Sequence, residues 1–136
     1  MARFASKTDG RSTTPAATFC VSYYFTGTAA ATDTVFFIAT RACRIVAISE
    51  VHAVAAGGSS TLQVVKDTST SAPGAGTDLL STGFNLNATA NTVQTGALST
   101  TAANLSLAAG DRLAVDFADA IQSSTGVVVT VELAPL

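Results

Sequence analysis

The sequence predicts an all-β protein, an antiparallel β-sandwich of jelly-roll-like type with about seven to nine short strands. Three observations favour this fold. Apolar and polar residues alternate over 112–117 and again over 127–133, which is the two-residue period of a strand with one buried face. The turn pair Gly110-Asp111 precedes the first of these segments. No window shows the 3.6-residue period of an amphipathic helix. Strands with one apolar face need a covering layer, so a second sheet is expected.

The chain is expected to divide into an extended N-terminal arm, residues 1–17, and one β-sandwich domain, residues 18–136. The basic side chains of the arm are Arg3, Lys7 and Arg11. They are three of the seven basic residues in the chain, and Phe4 is the only aromatic residue of the arm. Such a terminus either frays in solvent or lies on a neighbouring subunit.

Strands are expected in the first half of the domain over 18–26, 34–40, 41–56 and 61–68, and the third range is either one long strand or two bent ones. The first is rich in aromatic and β-branched residues. The second reads TVFFIAT and is apolar on both faces, so we expect both of its faces to be covered. The glycine- and serine-rich turn at 57–60 is expected to join the third and fourth strands as a hairpin.

The second half begins with a loop over 69–77, which is rich in serine, glycine and alanine. A short helical turn over 78–81 is compatible with the sequence. A weaker strand region then runs from Phe84 to Leu98, broken by asparagine, threonine and glycine. The two alternating segments described above complete the domain.

Composition limits the classes of function. The 136 residues are 48% hydrophobic and only 12% charged, with a net charge of −2, whereas about a quarter charged is usual for a soluble domain. Such a surface suits a protein that lies against other proteins. There is no basic field to attract nucleic acid, no apolar run of roughly 20 residues for a membrane helix, and no secretory signal. We therefore expect no nucleic-acid or membrane partner, and synthesis in a cytosol. Cys20 and Cys43 are expected to be buried thiols.

No residue pattern indicates catalysis, a cofactor or a metal. His52, the only histidine, shares a strand face with Glu50, and such a pair can act as a general base. A surface or interface pair is the favoured interpretation. Asp111, Asp116 and Asp119 are close in sequence, but their spacing matches no calcium loop, so we expect turn and surface carboxylates. The expected catalytic, cofactor-binding and metal-binding residues are none.

Two pairs of residues leave alternatives open. Arg41 and Arg44 lie on either side of Cys43, where they either bind a carboxylate of a partner or keep a strand end solvated. Tyr23 and Tyr24 point to opposite faces of one strand, so at most one is exposed. Sugar sites rely on aromatic platforms, and the chain has no tryptophan. A carbohydrate-binding jelly-roll module nevertheless stays an alternative.

Several segments carry a family resemblance in combination. They are APGAGTDLL at 72–80, TANTVQTG at 89–96, LAAGDRLAVDF at 107–117 and GVVVTVELAPL at 126–136. Together they make the tract 46–133 similar to the β-sandwich decoration, or cement, proteins of tailed bacteriophage capsids. None of the segments is a catalytic motif.

The resemblance implies a non-enzymatic virion protein that binds the outer surface of the assembled capsid and stabilises it across subunit boundaries. Its partners would be the major capsid protein and copies of itself, with a homotrimer favoured. Its location would be the capsid exterior, after assembly in the host bacterial cytoplasm. A head-fibre or tail-associated virion protein with the same sandwich is the second interpretation. The expected partner-binding residues are Arg3, Phe4, Lys7 and Arg11 of the arm, with Arg41 and Arg44.

Overall fold

A computed structural model describes residues 17–26, 32–118 and 124–136. These residues are almost entirely β, which confirms the predicted fold class. In chain order the strands are β1 (Phe19–Phe25), β2 (Thr34–Ile38), β3 (Cys43–Val51), β4 (Thr61–Asp67), β5 (Thr77–Asp78), β6 (Phe84–Asn85), β7 (Gln94–Thr95), β8 (Ser106–Leu107), β9 (Arg112–Ala118) and β10 (Val127–Pro135). One 3-10 turn, Ala102–Leu105, precedes β8. The residues proposed for the arm, Arg3, Phe4, Lys7 and Arg11, lie outside the described residues, as does Asp119.

Two antiparallel sheets of five strands each form the sandwich. Sheet A has the order β1-β10-β3-β7, and β8 also pairs with β3. Sheet B has the order β2-β9-β4-β5, and β6 also pairs with β4. Along the chain, β1 to β4 alternate between the sheets, β5 and β6 stay in sheet B, β7 and β8 belong to sheet A, and β9 and β10 alternate again. This is the order of an eight-stranded jelly roll in which the fourth strand of each sheet is broken into two short pieces.

The central strands of the two sheets are β9 and β10. β10 pairs with β1 and β3, and β9 pairs with β2 and β4. The alternation that predicted them is confirmed, because their inward side chains are buried and belong to one core. These side chains are Leu113, Val115 and Phe117 of β9 and Val127, Val129, Val131 and Leu133 of β10. Each fully buried residue of this size contributes roughly 1.5–3 kcal/mol by leaving water.

A β-bulge in β3 decides which of its side chains enter the core. Leu133 of β10 lies opposite Ile45 and Glu132 lies opposite Ala47, so Val46 is the extra residue of β3. A strict two-residue alternation would put Ile45 and Ile48 on opposite faces, but both are buried in the core. The inward face then continues beyond Ile48 with Glu50, which is buried.

The hairpin expected across 57–60 is not formed. β3 and β4 lie in different sheets, because β3 is already paired with β10 on one edge and with β7 and β8 on the other. The connecting segment instead carries the chain from one sheet to the other. Val54 forms a bridge with Thr125, and the Ala56 N–H donates to the Leu86 carbonyl at 2.8 Å.

Polar side chains close one long side of the sandwich. The helical turn that the sequence allows over 78–81 is not formed, because Leu80 instead makes an antiparallel bridge with Leu98. The Gln63 side chain accepts a hydrogen bond from the Leu80 N–H at 3.1 Å and donates one to the Leu80 carbonyl at 3.2 Å. Lys66 Nζ donates to two carbonyls in and beside the 3-10 turn, each at 2.9 Å. The Leu80–Leu98 bridge joins the broken fourth strands of the two sheets, and Lys66 joins β4 to the segment at the start of β8.

Aromatic rings fill the opposite long side, between the edge strands β1 and β2. The rings of Tyr23 and Phe36 lie 5.9 Å apart, and those of Phe19 and Phe37 lie 6.3 Å apart. Tilted pairs at such distances are a favourable arrangement of aromatic quadrupoles. Among the described residues no backbone hydrogen bond connects β1 to β2, so side-chain contacts hold this side together.

β2 does not meet the expectation of a strand covered on both faces. It is an edge strand, and Ile38 at its end is 59% exposed. A register shift between Val35 and Phe37 lets the adjacent rings of Phe36 and Phe37 both pack against the core. The bulge, and not a central position in the sheet, explains why consecutive residues of this segment are apolar.

Candidate interaction surfaces

A loop of the same chain covers the outer face of sheet B. Val65 and Ala114 lie opposite each other on this face, and both are buried although neither belongs to the core between the sheets. The loop over 68–76 passes along this face, because the Gly74 N–H donates to Asp67 Oδ2 at 3.1 Å and a Cβ on Gly74 would lie 2.9 Å from Asp33 Oδ2. Val65 and Ala114 are therefore not available to a partner.

Within residues 17–26, 32–118 and 124–136, no loop covers the outer face of sheet A. None of its described side chains on β1, β10 and β3 is buried. They are Cys20, Ser22 and Tyr24 of β1, Val128, Thr130, Glu132 and Ala134 of β10, and Arg44, Val46, Ala47, Ser49 and Val51 of β3. Arg44 and Glu132 are the only charged residues among them. At the centre, the hydroxyls of Ser22 and Thr130 lie 3.0 Å apart. The result is a surface of small methyl and hydroxyl groups.

A groove opens at one end of the aromatic side, where β1 begins and β2 ends. Its volume is about 580 Å³. The lining residues are Ala17, Thr18, Phe19, Phe37, Ile38, Thr40, Arg41, Cys43 and Pro135. Phe19 and Ile38 are exposed large apolar side chains at this end of the molecule. Sequence reasoning missed the groove, because three distant segments form it and no local pattern marks them.

The structure separates the two arginines proposed as partner contacts. Arg41 lines the groove, whereas Arg44 lies on the outer face of sheet A between the buried Cys43 and Ile45. In the described part of the chain neither guanidinium makes an ion pair. The two do not form a joint clamp for one carboxylate, since they serve different surfaces. Whether either contacts a partner stays a prediction.

Glu50 and His52 are buried, which corrects the expectation of a surface or interface pair. Their exposed fractions are 2% and 0%, because the bulge at Val46 turns this part of β3 inward. His52 Nδ1 lies 3.0 Å from Glu50 Oε1, and His52 Nε2 lies 3.0 Å from the Ala88 carbonyl. Gln94, which the sequence did not single out, donates to Glu50 Oε2 at 2.7 Å.

This buried group connects separate elements within the described residues. It joins β3 to the segment after β6 through the Ala88 carbonyl and to β7 through Gln94, which also donates to the Asn85 carbonyl at 2.9 Å. Burial raises the pKa of Glu50, while hydrogen bonds from His52 and Gln94 oppose that shift. With no solvent access, His52 does not reach a substrate in this conformation.

The acidic residues assemble differently from the sequence expectation. Asp111 belongs to a turn, where its carboxylate accepts the Ala108 N–H at 2.8 Å, and Asp119 lies outside the described residues. Burial raises the pKa of Asp116, and the carboxylates of Asp33, Asp78 and Asp67 raise it further. These four aspartates therefore lie near one another at sheet B, in a grouping that the linear spacing did not indicate.

No metal site is assembled in the described ranges. Three or more histidine, cysteine, aspartate or glutamate side chains do not converge there in an arrangement that could hold an ion. Asp67 is fully buried, and its Oδ1 has no hydrogen-bond partner among the described residues. Gly76 packs directly on that oxygen, since a Cβ at Gly76 would lie 2.6 Å from it. The described residues also contain no helix of the length and apolarity needed to cross a membrane.

The cysteines and tyrosines occupy contrasting environments. Cys43 is buried, but Cys20 is exposed on the outer face of sheet A, so the expectation of two buried thiols is wrong for Cys20. Both are free thiols. Tyr23 is buried, whereas Tyr24 is 64% exposed on the outer face of sheet A. This confirms that at most one of the two tyrosines is exposed.

Comparison with known proteins adds no relative. No protein-family model, no curated protein and no solved structure matches the chain. The resemblance to phage decoration proteins therefore stays a prediction carried by the sequence segments.

Proposed function

We propose that this protein is a structural component of a tailed-phage virion that binds the outer surface of the assembled capsid. It acts without catalysis, by lying across subunit boundaries of the shell. The observation that carries the proposal is the difference between the two sheets. The loop over 68–76 lies on the outer face of sheet B, whereas the described residues leave the outer face of sheet A uncovered and nearly uncharged.

A face of this kind supports docking against protein. Small methyl and hydroxyl groups allow close approach, and few charges must be removed from water when the surface is buried. Binding that favours the assembled shell over free subunits stabilises the shell by mass action, in the way that a ligand stabilises a fold. The jelly-roll architecture is compatible with this function, although it occurs in capsid proteins and lectins alike.

Co-sedimentation tests the proposal. The wild-type protein is expected to sediment with assembled capsid shells and not with free major capsid protein. Thr130→Arg places a bulky charge at the centre of the bare face and should weaken shell binding by more than tenfold. Thr82→Arg is the matched control, because Thr82 is an exposed threonine outside sheet A. Equal binding by Thr130→Arg would remove the outer face of sheet A from the proposal.

The same preparations address the two alternatives. Sedimentation with tails or fibres, and not with shells, would support a head-fibre or tail-associated protein. Tyr24 favours the carbohydrate-binding alternative, because it is the exposed one of the two tyrosines. A glycan-array signal that is lost in Tyr24→Ala and kept in Thr82→Arg would establish that alternative and overturn ours.

A further inference from the structure

We infer that the groove beside Arg41 is a second docking site, for an extended acidic segment of a partner protein that inserts one bulky apolar side chain. The inference goes beyond the proposed function, since it concerns the open end of the sandwich and not the outer face of sheet A. It holds whether the partner is a capsid subunit or another protein.

The size and lining of the groove define the inserted group. Its volume of about 580 Å³ falls within the roughly 300–1,000 Å³ of ligand-binding pockets. The Phe19 and Phe37 rings, the Cys43 thiol and Pro135 give it an apolar lining. Ile38 at its rim is 59% exposed. A large aliphatic or aromatic side chain would remove this apolar surface from water.

The walls of the groove define the backbone conformation of the segment. Among the described residues, β1 pairs only with β10 and β2 pairs only with β9, so each presents one strand edge without a described partner. Phe37 and Ile38 use one edge to pair with Leu113 and Arg112, and the opposite edge is free of ladder partners in the described residues. Free N–H and C=O groups along such an edge bind an added extended strand.

Charge defines the chemistry of the segment. Arg41 is the one charged residue in the lining, and it has no ion pair within the described ranges. Asp111 Oδ2 accepts the Ala108 N–H at 2.8 Å, and Asp111 makes no ion pair with Arg41. An acidic residue beside the inserted side chain would therefore meet an arginine that has no ion-pair partner among the described residues.

A second copy of this chain does not offer such a segment on its described surface. Its acidic residues on strand surfaces include Asp78 and Glu132. Asp78 is followed by the buried Leu79, and Glu132 lies between the buried Val131 and Leu133. Neither carboxylate stands next to an exposed bulky side chain, so the geometry favours a different protein.

Peptide selection tests the inference without any capsid component. The full-length protein is immobilised and panned with a random peptide library, and enriched peptides are synthesised with a fluorophore. Their affinity is then measured by fluorescence anisotropy for the wild type, Arg41→Glu, Ile38→Asp and the control Thr82→Glu. Arg41, Ile38 and Thr82 are all exposed, and thermal melting verifies that the variants fold.

We expect enriched peptides that share a bulky apolar residue within two positions of Asp or Glu. Arg41→Glu should weaken them about tenfold, since an exposed attraction becomes a repulsion, and Ile38→Asp should abolish binding. Thr82→Glu should bind within twofold of the wild type. Failure to enrich any peptide, or equal binding by Arg41→Glu, overturns the inference. A wild-type oligomer that Ile38→Asp dissociates would assign the groove to a second copy instead. The peptide affinities do not depend on whether Thr130→Arg keeps or loses shell binding, so the two proposals can fail separately.

Discussion

The buried group of Glu50, His52 and Gln94 yields a prediction that separates hydrogen bonding from charge. The Ala88 carbonyl can only accept a hydrogen bond, so His52 Nε2 must carry a hydrogen. The contact between His52 Nδ1 and Glu50 Oε1 then needs one further proton, which lies between these two atoms. Glu50→Gln supplies that hydrogen from its amide, while its oxygen still accepts from Gln94. The variant keeps every hydrogen bond and should change the free energy of unfolding by less than about 1 kcal/mol.

His52→Ala should be far more damaging than Glu50→Gln. It removes the partners of Glu50 Oε1, on a buried residue, and of the Ala88 carbonyl, on a half-buried residue, and it leaves a cavity. Removing one member of a buried pair costs about 3–5 kcal/mol. For a domain of this size that corresponds to a fall in melting temperature of roughly 10–20 °C.

The assay is chemical denaturation of the wild type and both variants, repeated across a pH series. Burial raises the folded-state pKa of Glu50 above its reference value of 4.5. Its contribution to stability is therefore fully present below about pH 4.5 and is lost as the pH rises through the folded-state pKa. The wild type should lose stability over that window, and Glu50→Gln should lose less, keeping only the part due to Asp116, whose pKa is also raised.

Two outcomes for these variants would contradict this explanation of the buried group. If Glu50→Gln destabilises the protein as much as His52→Ala does, charge and not donor matching holds the group together. If its pH profile matches that of the wild type, the titration of Glu50 does not contribute as stated.

Three further predictions follow from single features. Gly76→Ala should cost more than about 2 kcal/mol in urea denaturation, because its Cβ would lie 2.0 Å from the Lys66 carbonyl. Gly110→Ala should cost only about 1 kcal/mol, since its φ is +95° but nothing lies within 4 Å; equal costs would contradict the close approach at Gly76. Iodoacetamide should label the exposed Cys20 in the native protein and spare the buried Cys43 until denaturation, as read by peptide mass spectrometry. Deleting residues 2–14 should leave the melting curve unchanged and weaken shell co-sedimentation, and unchanged shell binding would remove the arm from the proposal.

Periodicity was sufficient where one strand face meets the core. The alternations that became β9 and β10 identified their inward residues correctly, because side chains on a regular strand alternate without reference to the partner. Ala114 was the exception. It lies opposite Val65 on the outer face of sheet B and is nevertheless buried, since a loop from elsewhere covers that face.

The two-residue period failed to predict the inward residues of β3, where a β-bulge shifts the alternation. One extra residue at Val46 moves Ile48 and Glu50 to the same face as Ile45. The position of a bulge depends on the strand across the ladder, and nothing in the local sequence states which strand that is. The buried histidine, and with it the connection to Gln94, followed from that shift.

The sequence by itself determined that this chain is all-β, that its apolar residues support two layers, and that few charges remain for its surface. Each of these properties follows from local composition and local periodicity, so none requires knowledge of the tertiary contacts. Only the tertiary structure decided that β3 and β4 lie in different sheets, that one outer face is covered and the other bare, and that a groove forms beside Arg41. Each of these depends on which distant strands occupy an edge, because a strand edge has room for one neighbour and the competition for it is settled across the whole domain.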